Sequence, residues 1–522
     1  MGEYVVAVDV GTGSARAGVI DRNGRILGRG MRAISLRRED AVTAEHRSED
    51  IWAAVTEAVR TAVSCSGIDP NLVDAIGFDA TCSLTFLDAE TRPLSIARDR
   101  TDGWDTIAWL DHRALEQAQR LGSVDTPSRR HAGGSFSPEM QIPKLMWVRE
   151  NLPGSWARAG GIFDLSDYLT FRATGTTIRS ATTLTTKWSY LNHSDHGWDQ
   201  ALLEAAGLDD LPHKAKIEGR PVEPGSMVGT LCPDAAEELD LPQACRVAAG
   251  MVDAYAGALA LAGAEPIAEG LACLVGGTST CVMRFCPEPF FAPAFWGPYF
   301  GVALPGFWVS EGGQSAAGAL LDHILQTHPA RPPGADAHAA VHRRIAELLE
   351  REGPEVSRDI HVLPDFHGSR TPFADYALRG TIHGLSLDPS FDGLARLYWR
   401  AMVGLALGVR QIAETLGQHG QPVRRLALGG GHAKGTLFRQ LYADATGCEI
   451  EVAAGEDAML IGTAMAAASA AGWYSSLSDA CRAMRGAPTV TRPKPEHAEF
   501  IERDYRAFLM MQEQRRQLAE LG

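Results

Sequence analysis

Tyr4-Val-Val-Ala-Val-Asp9-Val-Gly11-Thr12-Gly13-Ser14-Ala-Arg16-Ala-Gly-Val-Ile20 is the stretch on which the fold turns. Tyr4–Val8 is a continuous apolar run, the pattern of a strand buried on both faces. Ala17–Ile20 is a second such run, and Asp9 to Ser14 turns the chain between them. Asn23-Gly24 tolerates positive φ at both residues and predicts a hairpin into a third strand over Arg25–Ile34. Ser48 then offers an N-cap with acid in the first turn, and Ile51, Val55, Ala58, Val59 and Ala62 share one helical face. Val73–Phe78 and Ser83–Leu87 read as further strands.

The opening pattern returns in the second half. Leu271-Ala-Cys-Leu-Val-Gly276-Gly277-Thr278-Ser279-Thr280-Cys-Val-Met-Arg-Phe285 again gives an apolar strand, a Gly-Thr turn with hydroxyls and a second strand. The expectation is an α/β protein of two domains built on one plan, 1–262 and 263–522, with a hinge near 255–268. A length of 522 residues fits two cores better than one. The region from about 100 to 250 mixes Gly, Pro and Trp and reads as insertions on the first domain. Helical patterns follow at Phe391–Leu416, Thr436–Thr446 and Asp457–Ala471, with a strand at Arg425–Leu428 and a polar terminal helix over Glu496–Leu521.

Hydrophobic residues make up 45% of the chain and charged residues 22%, ordinary values for a globular protein. The net charge of -15 argues against a nucleic-acid or anionic-membrane surface. No basic segment followed by an apolar stretch opens the chain, so no signal peptide is expected, and no apolar run is long enough to span a bilayer. The nine cysteines are scattered without a C-x-x-C pair, which points to a reducing cytoplasm rather than to zinc or a disulfide framework. An acidic protein that handles phosphate needs local devices: backbone N–H groups, helix N-termini or Mg²⁺.

Three glycine-rich turns offer such devices: Asp9-Val-Gly11-Thr12-Gly13-Ser14, Gly276-Gly277-Thr278-Ser279-Thr280 and Gly429-Gly430-Gly431-His432-Ala-Lys434. Glycines let backbone approach a phosphate or a flat base, and hydroxyls donate to phosphate oxygens. Taken alone, each is as readily a plain structural turn. Asp253, in Gly-Met-Val-Asp-Ala-Tyr-Ala-Gly, is either an N-cap or a base for a hydroxyl attacking a γ-phosphate. Three polar loops, Thr81-Cys82-Ser83, Trp109-Leu-Asp111-His-Arg113 and Thr185-Thr-Lys187-Trp188, are surface loops or the donors, acceptors and aromatic walls that a polyhydroxylated ligand needs. There is no G-x-x-x-x-G-K-[ST], so a P-loop kinase is excluded.

Taken in order, Asp9–Ala17, Gly77–Leu84, Trp109–Arg113, Ser137–Lys144, Asp164–Tyr168, Gly250–Ala254, Pro364–Pro372 and Gly429–Lys434 resemble the FGGY carbohydrate kinases, and among them the ribulokinase group. The resemblance covers nearly the whole chain. It implies two ribonuclease-H-like domains around a cleft, ATP and Mg²⁺ as cofactors, a homodimer, and phosphate transfer to a terminal sugar hydroxyl. It implies Asp253 as catalytic base and as a sugar contact with Cys82, Asp111, Lys187 and Glu311. It implies nucleotide contacts from Gly11, Thr12, Ser14, Gly277, Thr278, Gln314, Gly430 and Gly431, with Asp9 holding Mg²⁺ through water. The Thr-Cys-Ser-Leu loop resembles that of D-ribulose kinases, with L-ribulose, another ketose or a polyol as the alternative. Ser369 and Gly435 depart from the asparagines common in the family at those positions. A sensor that no longer catalyses is the rival of a different class.

Overall fold

The computed structural model describes residues 2–99, 101–334, 336–453 and 457–521. The chain forms two compact units: Met1–Ile267 with Phe285–Ser310 and Asp457–Ala487, and Ala268–Arg284 with Glu311–Glu456 and Pro488–Gly522. Each unit is thus assembled from three separate segments of the chain.

In the first unit the strand Tyr4–Val10 lies at the centre, with Val5, Val6, Ala7, Val8 and Val10 fully buried. It pairs antiparallel with Ser14–Asp21 and parallel with Val73–Ala80. Ile26–Ala33 extends the sheet beyond Ser14–Asp21, and Arg246–Ala248 follows Val73–Ala80 on the other side. The hairpin at Asn23-Gly24 forms as expected. Gly24 takes φ 77°, and Asp21 accepts from the backbone N–H of Asn23 and Gly24. The helix Ser48–Ser66 packs on this sheet through Ile51, Trp52, Val55, Ala58, Val59 and Ala62. Gly28 and Gly30 permit that approach, since a Cβ at either would overlap the helix backbone. Ser48 does not cap this helix. Arg47 occupies the capping position without a side-chain bond, and the buried Ser48 gives its backbone N–H and hydroxyl to Asp105.

The helix Ala458–Ala470 covers the opposite face of the same sheet and packs against the helix Asp253–Ala262. Nearly every face of it is apolar and Leu460 to Ala468 are buried, so it needs two covering layers. Gly77 and Gly462 let those layers close, with Thr463 O and Ala256 O against their Cα atoms. This packing draws a late segment of the chain into the first unit. Between residues 101 and 250 the chain forms short helices, and its strands Thr106–Ile107 and Ala159–Asp164 join Glu45–His46 and Leu84–Asp88 in a small sheet, all within that unit.

The second unit repeats the plan. Leu271–Gly276 pairs antiparallel with Thr280–Cys286 and parallel with Arg425–Gly430. Trp308–Gln314 lies beyond Thr280–Cys286, and Glu449–Ala453 beyond Arg425–Gly430. In both units the first strand lies between its antiparallel hairpin partner and a later parallel strand, which meets the α/β expectation. The helix Phe391–Gln418 supplies much of this unit's core. No described helix is long and apolar enough to cross a membrane.

Candidate active site

Three carboxylates stand at the ends of adjacent parallel strands in the first unit. Asp9 and Asp79 are register partners, and Met251–Val252 pairs with Asp79 and Ala80 immediately before Asp253. Asp9 and Asp79 are 1% and 0% exposed. Burial pushes the Asp9 carboxyl from 3.8 up to about 6, against the pull of Arg16, and raises Asp79 well above its ordinary value. Arg16 is ion-paired with Asp9 and donates to Asp457 at 3.1 Å. Thr463 donates to one oxygen of Asp79, and the other, Oδ1, is buried with no donor among the described residues. Such a set of hard oxygen donors, under-neutralised and with an orphaned acceptor, fits a divalent cation held partly through water. Among the described residues no group of three or more His, Cys, Asp or Glu is close enough to bind a metal directly.

Asp253 is the first residue of the helix Asp253–Ala262, where the backbone donors favour an anion. Its Oδ1 accepts from the Ala254 N–H at 2.6 Å, and the side chain is half-buried. Cys82 and Lys187 share its neighbourhood. The charges acting on the Cys82 thiol are those of Lys187, Asp164, Lys144 and Asp253, and burial pushes that thiol up to about 12. The Lys187 ammonium lies 4.5 Å from the centre of the Trp296 ring and 6.0 Å from that of Tyr255. An ammonium, a helix-start carboxylate, a neutral thiol and two aromatic faces are the kinds of group that a hydroxylated ligand needs.

The loops around these groups are fastened to one another. Thr12 Oγ1 accepts from the Trp109 indole at 2.9 Å, and Lys144 donates to the carbonyls of Ala108 and Trp109 at 3.0 Å. Ser83 Oγ accepts from the Trp109 N–H and also bonds Thr81. The Gly11 N–H closes its turn on Ser14 O at 3.0 Å. The expected direct sugar contact from Asp111 does not fit: it is 0% exposed, and Arg113 and the Ala44 N–H take both its oxygens. Its place is inside the loop, holding Arg113, which also bonds Glu45 at 2.8 Å.

Glu311 and Gln314 lie on the strand Trp308–Gln314, in the part of it that belongs to the second unit. Glu311 accepts from the Cys281 thiol at 3.3 Å. Gln314 is also engaged internally, accepting from Thr280 at 2.8 Å and donating to Leu405 O at 3.2 Å. Gly277 and Thr278 are exposed in the turn after Leu271–Gly276, and their carbonyls accept from Ala317, Gly318 and Ala319. The turn is thereby fixed on the start of the helix Gly318–Thr327.

The glycines of these turns fall into two kinds. A Cβ at Gly276 would sit 2.6 Å from the His432 ring, and Gly430 takes φ 80° with its Cα against Gly276 O. Those two serve packing. At Gly13, Gly277 and Gly435 a Cβ would meet nothing within 4 Å, and at Gly11 and Gly431 only a carbonyl at 3.8 Å. Their bareness has no internal cause and leaves backbone open to a ligand. The His432 ring stacks on Phe438 at 4.0 Å and bonds the Tyr442 hydroxyl at 2.8 Å, pinning the Gly430–Lys434 turn. Burial holds its imidazole down at about 3, so it is neutral. Gly435 adds no polar group there, and the buried Ser369 gives its N–H to Asp375 O at 2.8 Å.

Asp79, Asp457 and Arg16 are part of the carboxylate cluster and were not singled out as site residues from the sequence. Asp79 carries the same signal as Asp9, a carboxylate ending an apolar strand.

The N-terminal domain of the FGGY family of carbohydrate kinases matches residues 4–260, and its C-terminal domain matches 272–471. The chain is 37% identical to a human FGGY carbohydrate kinase domain-containing protein, covering 98% of this chain and 97% of that one. It is 35% identical to a D-ribulokinase of Saccharomyces cerevisiae, covering 90% of this chain and 72% of the relative. A ligand-bound xylulose kinase of Lactobacillus acidophilus has the same fold, with a TM-score of 0.78 at 20% identity and 98% of each chain covered. The chain belongs to the FGGY family of carbohydrate kinases and is ribulokinase-like within it.

Proposed function

We propose that the protein transfers the γ-phosphate of ATP to the terminal hydroxyl of D-ribulose, with Asp253 as the base. The register that sets Asp253 beside Asp79 and Asp9, on three neighbouring parallel strands, carries this reading. In it, Asp253 accepts the proton of the sugar hydroxyl as that oxygen attacks phosphorus. Phosphoryl transfer asks mainly for alignment and charge neutralisation, so a carboxylate placed at a helix start suffices to orient the nucleophile. Lys187 donates to the ketose against the walls of Trp296 and Tyr255, and the neutral Cys82 packs beside it. Gly277–Thr278 and Gly430–Gly431 of the second unit bind a nucleotide's phosphate and adenosine, and Gly11–Ser14 of the first unit is a phosphate-binding turn.

Mg²⁺ would be held through water by Asp9 and Asp79, supplying charge neutralisation to the phosphates. Asp111 acts by holding Arg113 and the loop behind Trp109, and Gln314 by fixing the strand before Ala317. The preference for D-ribulose draws support from the yeast relative, named a D-ribulokinase. We further place the enzyme in a reducing cytoplasm, consistent with nine free cysteines, and as a homodimer.

A coupled ADP-release assay across pentuloses and polyols tests the substrate. D-ribulose is expected to give the highest kcat/KM. A higher value for L-ribulose or for a four-carbon polyol would replace it.

A further inference from the structure

We propose that a cavity of about 520 Å³ in the second unit, apart from the residues assigned above, binds a small organic anion with a flat apolar body. We further propose that its occupant steadies the nucleotide turn. Trp399, Leu441 and Phe500 give the cavity apolar walls, while Arg439, Lys494 and His497 contribute polar atoms. The volume lies in the range of small-molecule sites.

Two features point to an anionic acceptor. Trp399 is 5% exposed, and its indole N–H has no acceptor among the described residues. Buried donors are normally paired, so such an orphan calls for a partner. The second feature is uncompensated positive charge. Asp444 lines the cavity but is already taken, by the Lys494 N–H at 2.8 Å, His497 Nδ1 at 2.6 Å and Gln440 at 2.8 Å. Glu350 is the other acid and is exposed. The Lys494 ammonium has no carboxylate partner among the described residues. Arg439 spends only Nε, on Ala433 O at 2.6 Å, which leaves its terminal nitrogens available for a bidentate bond to a carboxylate, sulfonate or phosphate.

That single bond to Ala433 ties the cavity to the turn Gly430–Lys434. An anion on the terminal nitrogens of Arg439 fixes the guanidinium with Nε still on Ala433 O, and so favours the ordered turn. This coupling rests on the reading that Gly430 and Gly431 hold adenosine.

Naphthalene-2-sulfonate titrated calorimetrically into the ligand-free protein is the test, with neutral 2-naphthol as control. The expected result is one site for the sulfonate and at least about tenfold weaker binding of the naphthol. Arg439→Gln and Lys494→Gln should each weaken the sulfonate by about tenfold, and Trp399→Phe should weaken it less. Absence of binding, equal binding of the two probes, indifference to both cation variants, or displacement of the sulfonate by ATP would overturn the site. With the sulfonate saturating, ATP should bind several-fold tighter, and by linkage ATP should tighten the sulfonate by the same factor. Lys494→Gln should raise about tenfold the sulfonate concentration needed for that effect while leaving ATP affinity alone unchanged. A sulfonate that binds without altering ATP affinity overturns the coupling. Failure of the nucleotide reading would show separately, as unchanged ATP affinity in Gly431→Val, and the titration on the ligand-free protein would still decide the cavity.

Discussion

Replacing Asp9 by Asn should make the protein more stable at neutral pH while abolishing phosphoryl transfer. Asp9 is 1% exposed and faces Asp79 across the sheet. Burial is the largest influence on its carboxyl, and Arg16 offsets only part of it, leaving it at about 6 instead of 3.8. Moving a carboxyl that far makes its ionised form about 3 kcal/mol more costly in the folded state than in the unfolded chain. The folded state holds the proton more tightly, so the stabilising contribution is complete below pH 3.8 and is lost as pH rises through about 6. Asparagine keeps the shape and removes the charge, and Arg16 keeps Asp457 at 3.1 Å. Urea unfolding at a series of pH values should therefore show the two proteins diverging between about pH 4 and pH 7. The variant should lead by about 1–3 kcal/mol above that window. Saturating Mg²⁺, which favours the ionised carboxylate, should narrow the gap. A variant less stable than the parent at pH 8, or a gap that does not change with pH, would refute the reasoning.

Other outcomes follow from particular contacts. Gly431→Val, where a Cβ has room, should weaken ATP binding at least about tenfold and change stability by less than about 0.5 kcal/mol. Gly276→Ala, which drives a Cβ into the His432 ring, should cost about 1–3 kcal/mol in urea unfolding. Asp111→Ala should destabilise by about 3–5 kcal/mol, because it takes a partner from Arg113, whose side chain is 1% exposed. Arg113→Met in the same background should recover part of that loss. Iodoacetamide at about pH 8 should label the exposed Cys65 and spare Cys82, whose thiol is pushed up to about 12, as read by peptide mapping.

Much of the architecture could be read from the residues because buried strands announce themselves as apolar runs. Tyr4–Val8, Val73–Phe78 and Arg425–Leu428 are such runs, and each lies inside an observed strand. The helix near 457–471 was equally legible as a helix, but its home was not. With nearly every face apolar, it shows no single stripe to say which layer it joins, and it completes the first unit from far beyond the end of that unit's main segment at Ile267. Ser48 looked like a cap because serine beside acid is a common capping signal. Asp105, 57 residues away, claims it instead. The same limit applied to Asp111 and Gln314, since a polar side chain and its distant internal partner carry no shared local pattern. Asp79 was the opposite case. Its position at the end of an apolar strand was visible, but its register beside Asp9 is a property of strand pairing and not of spacing along the chain.

The central claim is that the Asp253 carboxylate takes the proton of the attacking hydroxyl. Asp253→Asn, assayed for ADP release with D-ribulose and titrated separately with ATP, tests it most directly. The account predicts a fall in kcat of at least about 100-fold with ATP affinity within about twofold of the parent. Turnover near that of the parent enzyme would contradict it.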